Sequence, residues 1–476
     1  MKLKFFVSLL LIIFVATGSG DAQSRRATGS VLTAATSAEN DLPLKQMFDE
    51  VNEYNRVKFA EYQQKKIPYS EQLRSKTEAE RKQLAAKYAA IAAERKLSEP
   101  DDLYYAGMLY WIAENLDGTA EMLSRYLESN PLSAERAQSA RAIIVFAYAK
   151  QGKLDTAVGL LADYDGRKPI KPSEIWRMNA EIAKAYLTIK GFSNAENHAK
   201  RAYEAAKTLI SDPNSRVNPL DAALDTGMLL FEARNEAGKI LEADAALEDM
   251  RQTAADIKNA IFYYYATDKL ILHQIATGRK PLAMETYLNS LIQAGRDLPA
   301  ARGAQNEAID RLKLRKRHYD LLGETALELF GIDQWFPGKP STLAELRGKV
   351  VLLDFWATWC GPCFDAFPHF REWHEDLSDK GLVILGITRY YGRAEGFNVD
   401  ETNEIIFLKR FRERYSLPYD FVVTKDNKLQ TTYGAVNLPT AALIDRNGKL
   451  RYLETGSSPT RIEELRSMVL KLLEEK

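Results

Sequence analysis

The sequence predicts a multidomain protein, with an all-α helical-repeat region followed by an α/β domain. Three observations carry this reading. The chain has 476 residues, too many for one hydrophobic core when domains cluster at about 100–200 residues. From Leu42 to about Leu322, Ala, Leu, Glu, Lys and Arg dominate while Gly and Pro are sparse, which is the composition of helices. After Leu322 short apolar runs alternate with amphipathic stretches, as strands and helices do in turn.

The chain opens with MKLKFFVSLLLIIFVATGSGDAQS. Lys2 and Lys4 make a basic start, Phe5 to Thr17 form an apolar run, and Gly20 and Ala22 are small residues before Gln23. Residues 1–22 therefore read as a secretory signal peptide, which implies an exported, periplasmic or secreted protein. The apolar run is shorter than the roughly 20 residues that a membrane span needs. No second such run follows, so no stable membrane insertion is expected after cleavage. No cysteine stands near the cleavage site, which excludes a lipid-anchored lipoprotein. Residues 23–40 are small and polar and read as a disordered leader. Lys plus Arg and Asp plus Glu both number 65, so the net charge is zero. A general nucleic-acid or membrane-surface binder would show a basic excess, and neither partner is expected.

Residues 41–325 read as an all-α domain. Turn glycines at Gly118, Gly152, Gly191, Gly238 and Gly278 separate pairs of helical patterns, at spacings of 34, 39, 47 and 40 residues. The first spacing matches the tetratricopeptide period of about 34. The pattern loosely resembles a degenerate tetratricopeptide-like array; an irregular helical bundle is the alternative. The run Tyr263, Tyr264, Tyr265 reads as packing between helices rather than a ligand surface.

Residues 326–476 read as the α/β domain. Pro337, Gly338 and Pro340 mark its boundary. KVVLLDFW is a short apolar run, as in a buried strand. A helical stretch, CFDAFPHFREWHEDLSDK, follows it. GLVILGIT is a second strand, NEIIFLKRFRERY a helix and YDFVV a third strand. TAALIDRNGKLRYLE reads as a hairpin turning at Asn447-Gly448, a type I′ signal. RIEELRSMVLKLLEEK closes the chain as an amphipathic helix.

The chain holds two cysteines, Cys360 and Cys363, directly after the first of these strands and at the start of a helix. Exported proteins often staple themselves with several disulfides. This one folds its remainder without any, which leaves both thiols for chemistry. A helix N-terminus presents unpaired N–H groups and partial positive charge. That stabilises a thiolate, the nucleophile of disulfide exchange. Three residues return to the same helix face, so the second sulfur can reach the first. Pro362 sits in the first turn, where a missing N–H costs nothing. Cys360 is thus expected to be ionised near neutral pH and open to an incoming peptide, with Cys363 more buried. Asp354 is a carboxylate inside an apolar run, six residues before Cys360. Burial would raise its pKa and suit it to exchange a proton with Cys363. A strand-end Asp bonded to neighbouring backbone is the alternative for that residue taken alone.

The stretch VVLLDFWATWCGPC resembles thioredoxin-like proteins, and the likeness extends further along the chain. Pro368 falls five residues after Cys363, and Leu438-Pro439-Thr440 looks like the family's cis-proline loop. Gly456 stands near the family's glycine after the last strand. The lead-in STLAELRGK and the extra length around TRYYGRAEGFNVDETNE look like the exported, TlpA-like branch. The resemblance covers about residues 326–476. It implies a thioredoxin-like fold and thiol–disulfide oxidoreductase activity, with Cys360 attacking, Cys363 resolving and Asp354 moving a proton. It further implies that Pro439 is cis, that Leu438 clamps the client backbone, and that Trp359, Gly361 and Pro362 border the bound client. The segment Arg389 to Thr402 is longer than in plain thioredoxin, and no acidic counterpart of that found in some exported relatives is recognised there.

No metal or other cofactor is implied. A structural zinc site needs four ligands, and His369 and His374 have no second cysteine pair to join; both read as helix-surface residues. Covalent haem needs His after the second cysteine, where Phe364 stands. The Gly361-Pro362 dipeptide resembles that of reducing thioredoxins. Their potential is about −270 mV against about −180 to −210 mV for an oxidising lumen, a gap of roughly 3 kcal/mol for two electrons. Such a pair would rest as a disulfide and need an external electron donor, such as a membrane reductase, to reduce protein disulfides. The alternative function is a helical-repeat binding or scaffold protein whose thioredoxin-like domain serves for docking.

Overall fold

The computed structural model describes residues 41–212, 218–300 and 303–475. The signal peptide and leader expected over residues 1–40 lie outside the described residues. These divide into two compact units between Ala246 and Leu247.

The first unit is helical: α1 (Leu44–Gln64), α2 (Glu71–Ala93), α3 (Pro100–Ile112), α4 (Leu116–Glu128), α5 (Ala134–Lys150), α6 (Leu154–Asp165), α7 (Pro172–Thr188), α8 (Phe192–Ile210), α9 (Pro219–Glu236) and the start of α10 (Ile240–Asp256). Local chemistry sets the ends. Ser70, Asn115 and Ser133 cap helix starts with their side chains, and Pro100, Pro172 and Pro219 occupy first helical positions. Alanines let neighbours approach closely: α8 buries Ala195, Ala199, Ala202 and Ala206 beside Tyr203 and Leu209.

One turn recurs along the helices. A left-handed residue is followed at once by the residue preceding the next helix, whose N–H reaches the carbonyl five positions back. Asn115 N–H donates to Tyr110 O at 2.9 Å, Lys153 to Tyr148 at 3.0 Å, Gly191 to Tyr186 at 2.8 Å and Lys239 to Arg234 at 2.9 Å. The left-handed residues are Glu114, Gly152, Lys190 and Gly238. Gly118 and Gly191, read from sequence as turn glycines, therefore serve differently. A Cβ at Gly118 would lie 2.7 Å from the Tyr110 ring, and one at Gly191 2.9 Å from Tyr186. They are small because an aromatic ring from the preceding helix occupies the space.

The second unit combines the end of α10 with α11 (Ala260–Ala276), α12 (Lys280–Asp297), α13 (Ala304–Leu321) and a mixed sheet. The strands are β1 (Ile332–Phe336), β2 (Val350–Phe355), β3 (Leu382–Arg389), β6 (Asp420–Thr424), β7 (Thr440–Ile444) and β8 (Leu450–Thr455), in spatial order β1-β6-β3-β2-β7-β8. A separate ribbon pairs β4 (Arg393–Ala394) with β5 (Phe397–Asn398). β2 lies centrally, parallel to β3 and antiparallel to β7, and is buried throughout. Its residues alternate between two cores. Val350 and Leu352 face α14 (Gly361–Phe364), α15 (Phe367–Leu377), α16 (Glu401–Arg414) and α18 (Pro459–Glu474). Val351, Leu353 and Phe355 face a core shared with α17 (Lys428–Thr432) and with Ile271, Tyr287, Leu312 and Tyr319 of α11–α13. The change from helical to α/β texture thus falls after α13, whereas packing groups α11–α13 with the sheet.

Three details of the sheet differ from the sequence reading. β1, in the stretch read as a boundary, pairs antiparallel with β6, and its Trp335 indole donates to Asp420 at 2.7 Å. α17 follows β6 where no element was expected. The β7–β8 connection is not a two-residue type I′ turn. Gly448 has φ +72° but Asn447 is not at positive φ, and Asp445 accepts from Asn447 and Lys449 N–H to build a longer loop.

Gly278, at φ +78° with nothing within 4 Å of where a Cβ would stand, ends α11 in the same recurrent turn. We expect Gly278→Ala to lower unfolding free energy by about 1–2 kcal/mol from left-handed strain. Gly118→Ala should cost about 1–3 kcal/mol by overpacking against Tyr110. Urea unfolding reads both, and unchanged midpoints would contradict this account of the turns.

Candidate active site

β2 delivers the chain to Trp356, Ala357, Thr358 and Trp359, and α14 begins one residue past Cys360. Cys360 is the N-cap, and Cys363 N–H donates to Cys360 O at 3.0 Å. The sulfurs of Cys360 and Cys363 are joined in a disulfide, with Cα atoms 5.4 Å apart. The helix expected to continue from here stops after one turn and restarts at Phe367, with Pro368 in the first turn of α15. Little electrostatic effect is lost, because the partial charge of a helix start resides in its first turn.

In this disulfide form both cysteines are buried: Cys360 is 4% exposed and Cys363 1%. Cys360 is the more exposed, but far less so than an open nucleophile. Its sulfur is turned toward Cys363, and the surface belongs to its neighbours. Trp359 is 62% exposed, and Gly361 and Pro362 are exposed too. Trp359 packs edge-on against Tyr391 at 5.4 Å, and the Arg389 guanidinium lies 4.0 Å from the Tyr391 ring centre. Ser457 Oγ donates to Pro362 O at 2.5 Å from the other side.

Asp354 lies two residues from Leu352 on the strand and two from Trp356 just past it, hence on the same face, and those neighbours share one core with both cysteines. It is 1% exposed, and no donor among the described residues reaches its Oδ2. Burial alone pushes its carboxyl up to about 8. The carboxyl is thus a proton holder at neutral pH, on the sheet face that carries α14.

The Leu438–Pro439 peptide is cis. Pro439 O accepts from Gly456 N–H at 2.8 Å, and the hydroxyls of Thr440 and Thr455 meet at 2.8 Å. Leu438 is half-buried, packed against both cores, and Val436 beside it is exposed. Sequence reasoning missed Tyr391, Glu404 and Ser457. Glu404 is buried at the start of α16 and accepts from Tyr391 and Gly392 N–H, each at 2.9 Å, which ties the Arg389–Thr402 segment down. Its one sequence signal is the Asp400 cap of that helix, four residues before it. His369 is exposed on α15 and His374 is half-buried. Among the described residues no group of three or more His, Cys, Asp or Glu could hold a metal ion, and no helix is long and apolar enough to cross a membrane.

The raised Asp354 pKa makes stability pH-dependent. The folded chain holds this proton to about pH 8, and the unfolded chain releases it near pH 4. The folded state binds more protons between these values, so stability falls as pH rises through the window. We expect Asp354→Asn to remove that slope and to be the more stable protein at pH 9 by several kcal/mol, at about 1.4 kcal/mol for each tenfold difference in proton affinity. Denaturant titrations at pH 5, 7 and 9 measure it; parallel wild-type and variant curves would show Asp354 to be ionised throughout.

A model of the AhpC/TSA family matches residues 325–453. Thiol-disulfide oxidoreductase ResA of Geobacillus kaustophilus is 31% identical over 136 residues, covering 29% of this chain and 70% of that protein. ResA of Bacillus anthracis is 36% identical over 113 residues, 24% of this chain and 58% of that one. Against the Bacillus proteins, the chain thus spans a little over half of the relative's length. The solved thioredoxin domain of a thiol-disulfide oxidoreductase from Bacteroides vulgatus aligns over 31% of this chain and 97% of its own, at 23% identity and a TM-score of 0.25. Through the segment that holds the cysteine pair and its sheet, the chain belongs to the thioredoxin-like thiol–disulfide oxidoreductases typified by ResA.

Proposed function

We propose that the protein is an exported thiol–disulfide oxidoreductase that reduces protein disulfides through Cys360 and Cys363. The observation that carries this is the closure of the two cysteines into one disulfide within a single helical turn after the central strand. In the reduced protein, the Cys360 thiolate attacks a client disulfide. One client sulfur leaves as thiolate, and the other stays bonded to Cys360. In the minor fraction of molecules whose Asp354 is ionised at neutral pH, Cys363 then passes its proton to that carboxylate and attacks the Cys360 sulfur. The second client sulfur leaves, two electrons have moved to the client, and the protein holds the Cys360–Cys363 disulfide. Return to the dithiol takes two electrons from an external donor, such as a membrane reductase. Leu438, beside cis-Pro439, clamps the client backbone, and Trp359, Gly361 and Pro362 border it. The helical region, read from its sequence as loosely tetratricopeptide-like, binds clients or partners. Export rests on the basic and apolar start of residues 1–22.

Cys360→Ser should abolish insulin reduction, and Cys363→Ser should accumulate mixed disulfides whose partners mass spectrometry identifies. In the reduced protein, alkylation should strike Cys360 first, and faster at pH 7 than it strikes an ordinary thiol. The potential should lie nearer about −270 mV than about −120 mV. Client binding that survives Cys360→Ser, with negligible turnover in the wild type, would favour the docking role instead. Sulfurs that resist alkylation after reduction would remove the reading.

A further inference from the structure

The second unit buries an ion cluster of Arg315, Asp268 and Glu454 away from the cysteines, with Arg461 at its half-buried edge. Arg315 of α13 is 8% exposed, Asp268 of α11 6% and Glu454 of β8 7%. Arg315 Nε donates to Asp268 Oδ1 at 3.0 Å, and its Nη1 and Nη2 form a fork on the Glu454 carboxylate at 3.1 and 2.5 Å. Tyr319 OH also donates to Asp268 at 2.6 Å, and Arg461 Nη2 lies 3.4 Å from Glu454 Oε2. At the buried centre one guanidinium, Arg315, faces the two carboxylates Asp268 and Glu454, and Arg461 continues the network to Glu464 and Lys269. Buried networks of this kind contribute little to stability beyond what well-packed apolar groups would give. The apolar core shared by α11–α13 and the sheet already holds these layers together. What a directional fork adds is one fixed geometry.

That geometry leads to the site. Thr455, which follows Glu454, bonds Thr440; Gly456 N–H bonds Pro439 O; Ser457 bonds Pro362 O. A second path runs from the same helix. Arg315 Nη1 lies 2.8 Å from His318 Nδ1. Arginine only donates, so Nδ1 accepts and His318 is the neutral tautomer with its proton on Nε2, which donates to Gly434 O at 3.1 Å. Burial, and then the Arg315 charge, pull His318 down to about 4, in keeping with that tautomer. Arg317 Nε donates to Thr432 O at 2.8 Å. Thr432 and Gly434 begin the segment that runs to Pro439.

We propose that α13 positions the loop carrying cis-Pro439: Arg315 through Glu454 sets β8, whose far end bonds the loop, and Arg317 and His318 set the turn that precedes it. The inference rests on the reading of that loop as the client clamp. Arg315, Arg317, His318 and Glu454 are positioning residues, and none borders the sulfurs.

The test compares wild type with Glu454→Gln, which keeps the shape and removes the charge. Two readouts are taken: amide hydrogen exchange, and reaction of the reduced protein with a disulfide-linked peptide and with the small disulfide 5,5′-dithiobis(2-nitrobenzoic acid). Exchange at Gly456 should quicken by about 10-fold, with amides of β2 and β3 unchanged. The second-order rate of reduced protein with the peptide should fall about 5-fold or more while the rate with the small disulfide stays within about 2-fold. A merely structural role would quicken exchange across the sheet and lower both rates together; that outcome, or unchanged exchange at Gly456, overturns the proposal. If Glu454→Gln does not fold, Arg317→Ala, whose bond lies at the surface, takes its place with Ala435 as the reporting amide. A wild type inert toward both disulfides would overturn the redox reading, and local exchange would still decide the positioning.

Discussion

A carboxyl group inside the central strand is the constraint on which the site depends. β2 is covered on both faces, so Asp354 is 1% exposed and has no donor at Oδ2 among the described residues. An ionised carboxylate there would carry the full desolvation penalty. The group instead keeps its proton to about pH 8. The strand alternation that buries Asp354 is the same one that sends Leu352 and Trp356 into the core of the two cysteines. One local rule thus sets both the burial that raises the acid and the face on which it is held.

Much of this was legible because it is written in short-range patterns. VVLLDF reads as a strand buried on both faces, and the spacing of Cys360 and Cys363 reads as one helical turn. Both depend only on neighbours within a few residues. What stayed hidden depends on residues far apart in the chain. β1 has no run of its own, being short and half-exposed, and exists because β6 offers it a partner anchored by Asp420 to Trp335. Tyr391 and Ser457 meet the site only after the sheet has formed, from segments about 30 and 95 residues beyond the cysteines. The burial of Cys360 was hidden for another reason. A helix-start nucleophile implies an open sulfur in the dithiol, whereas an oxidised sulfur turned toward its partner leaves the surface to Trp359 and Pro362.

Texture and packing divide the chain differently, and the difference has a physical source. Composition changes where helices give way to strands, after α13. Compactness changes where contacts thin, within α10. The helices α11–α13 are helical by composition, yet they bury Ile271, Tyr287, Leu312 and Tyr319 against one face of the sheet. A sheet buried on both sides needs a cover on each, and these helices supply one of the two. Residues such as Asp268 and Arg315, ordinary in a helical stretch, are thereby brought against β8.

The burial of the pair also bears on how a catalytic cycle would run. Cys363 is more deeply buried than Cys360, and the exposed residues that flank them in sequence are Trp359, Gly361 and Pro362. In the proposed cycle the client leaves the disulfide behind and the donor must attack that same disulfide. Both are proposed to approach over this exposed edge. Client and donor must therefore use one face in turn, each leaving before the other binds, which is the kinetic pattern of a ping-pong enzyme. Selectivity between them cannot come from separate doors to the sulfurs. It has to come from what each partner meets around the rim: the aromatic pair Trp359–Tyr391 on one side, and on the other the proline loop whose flanking segments α13 holds.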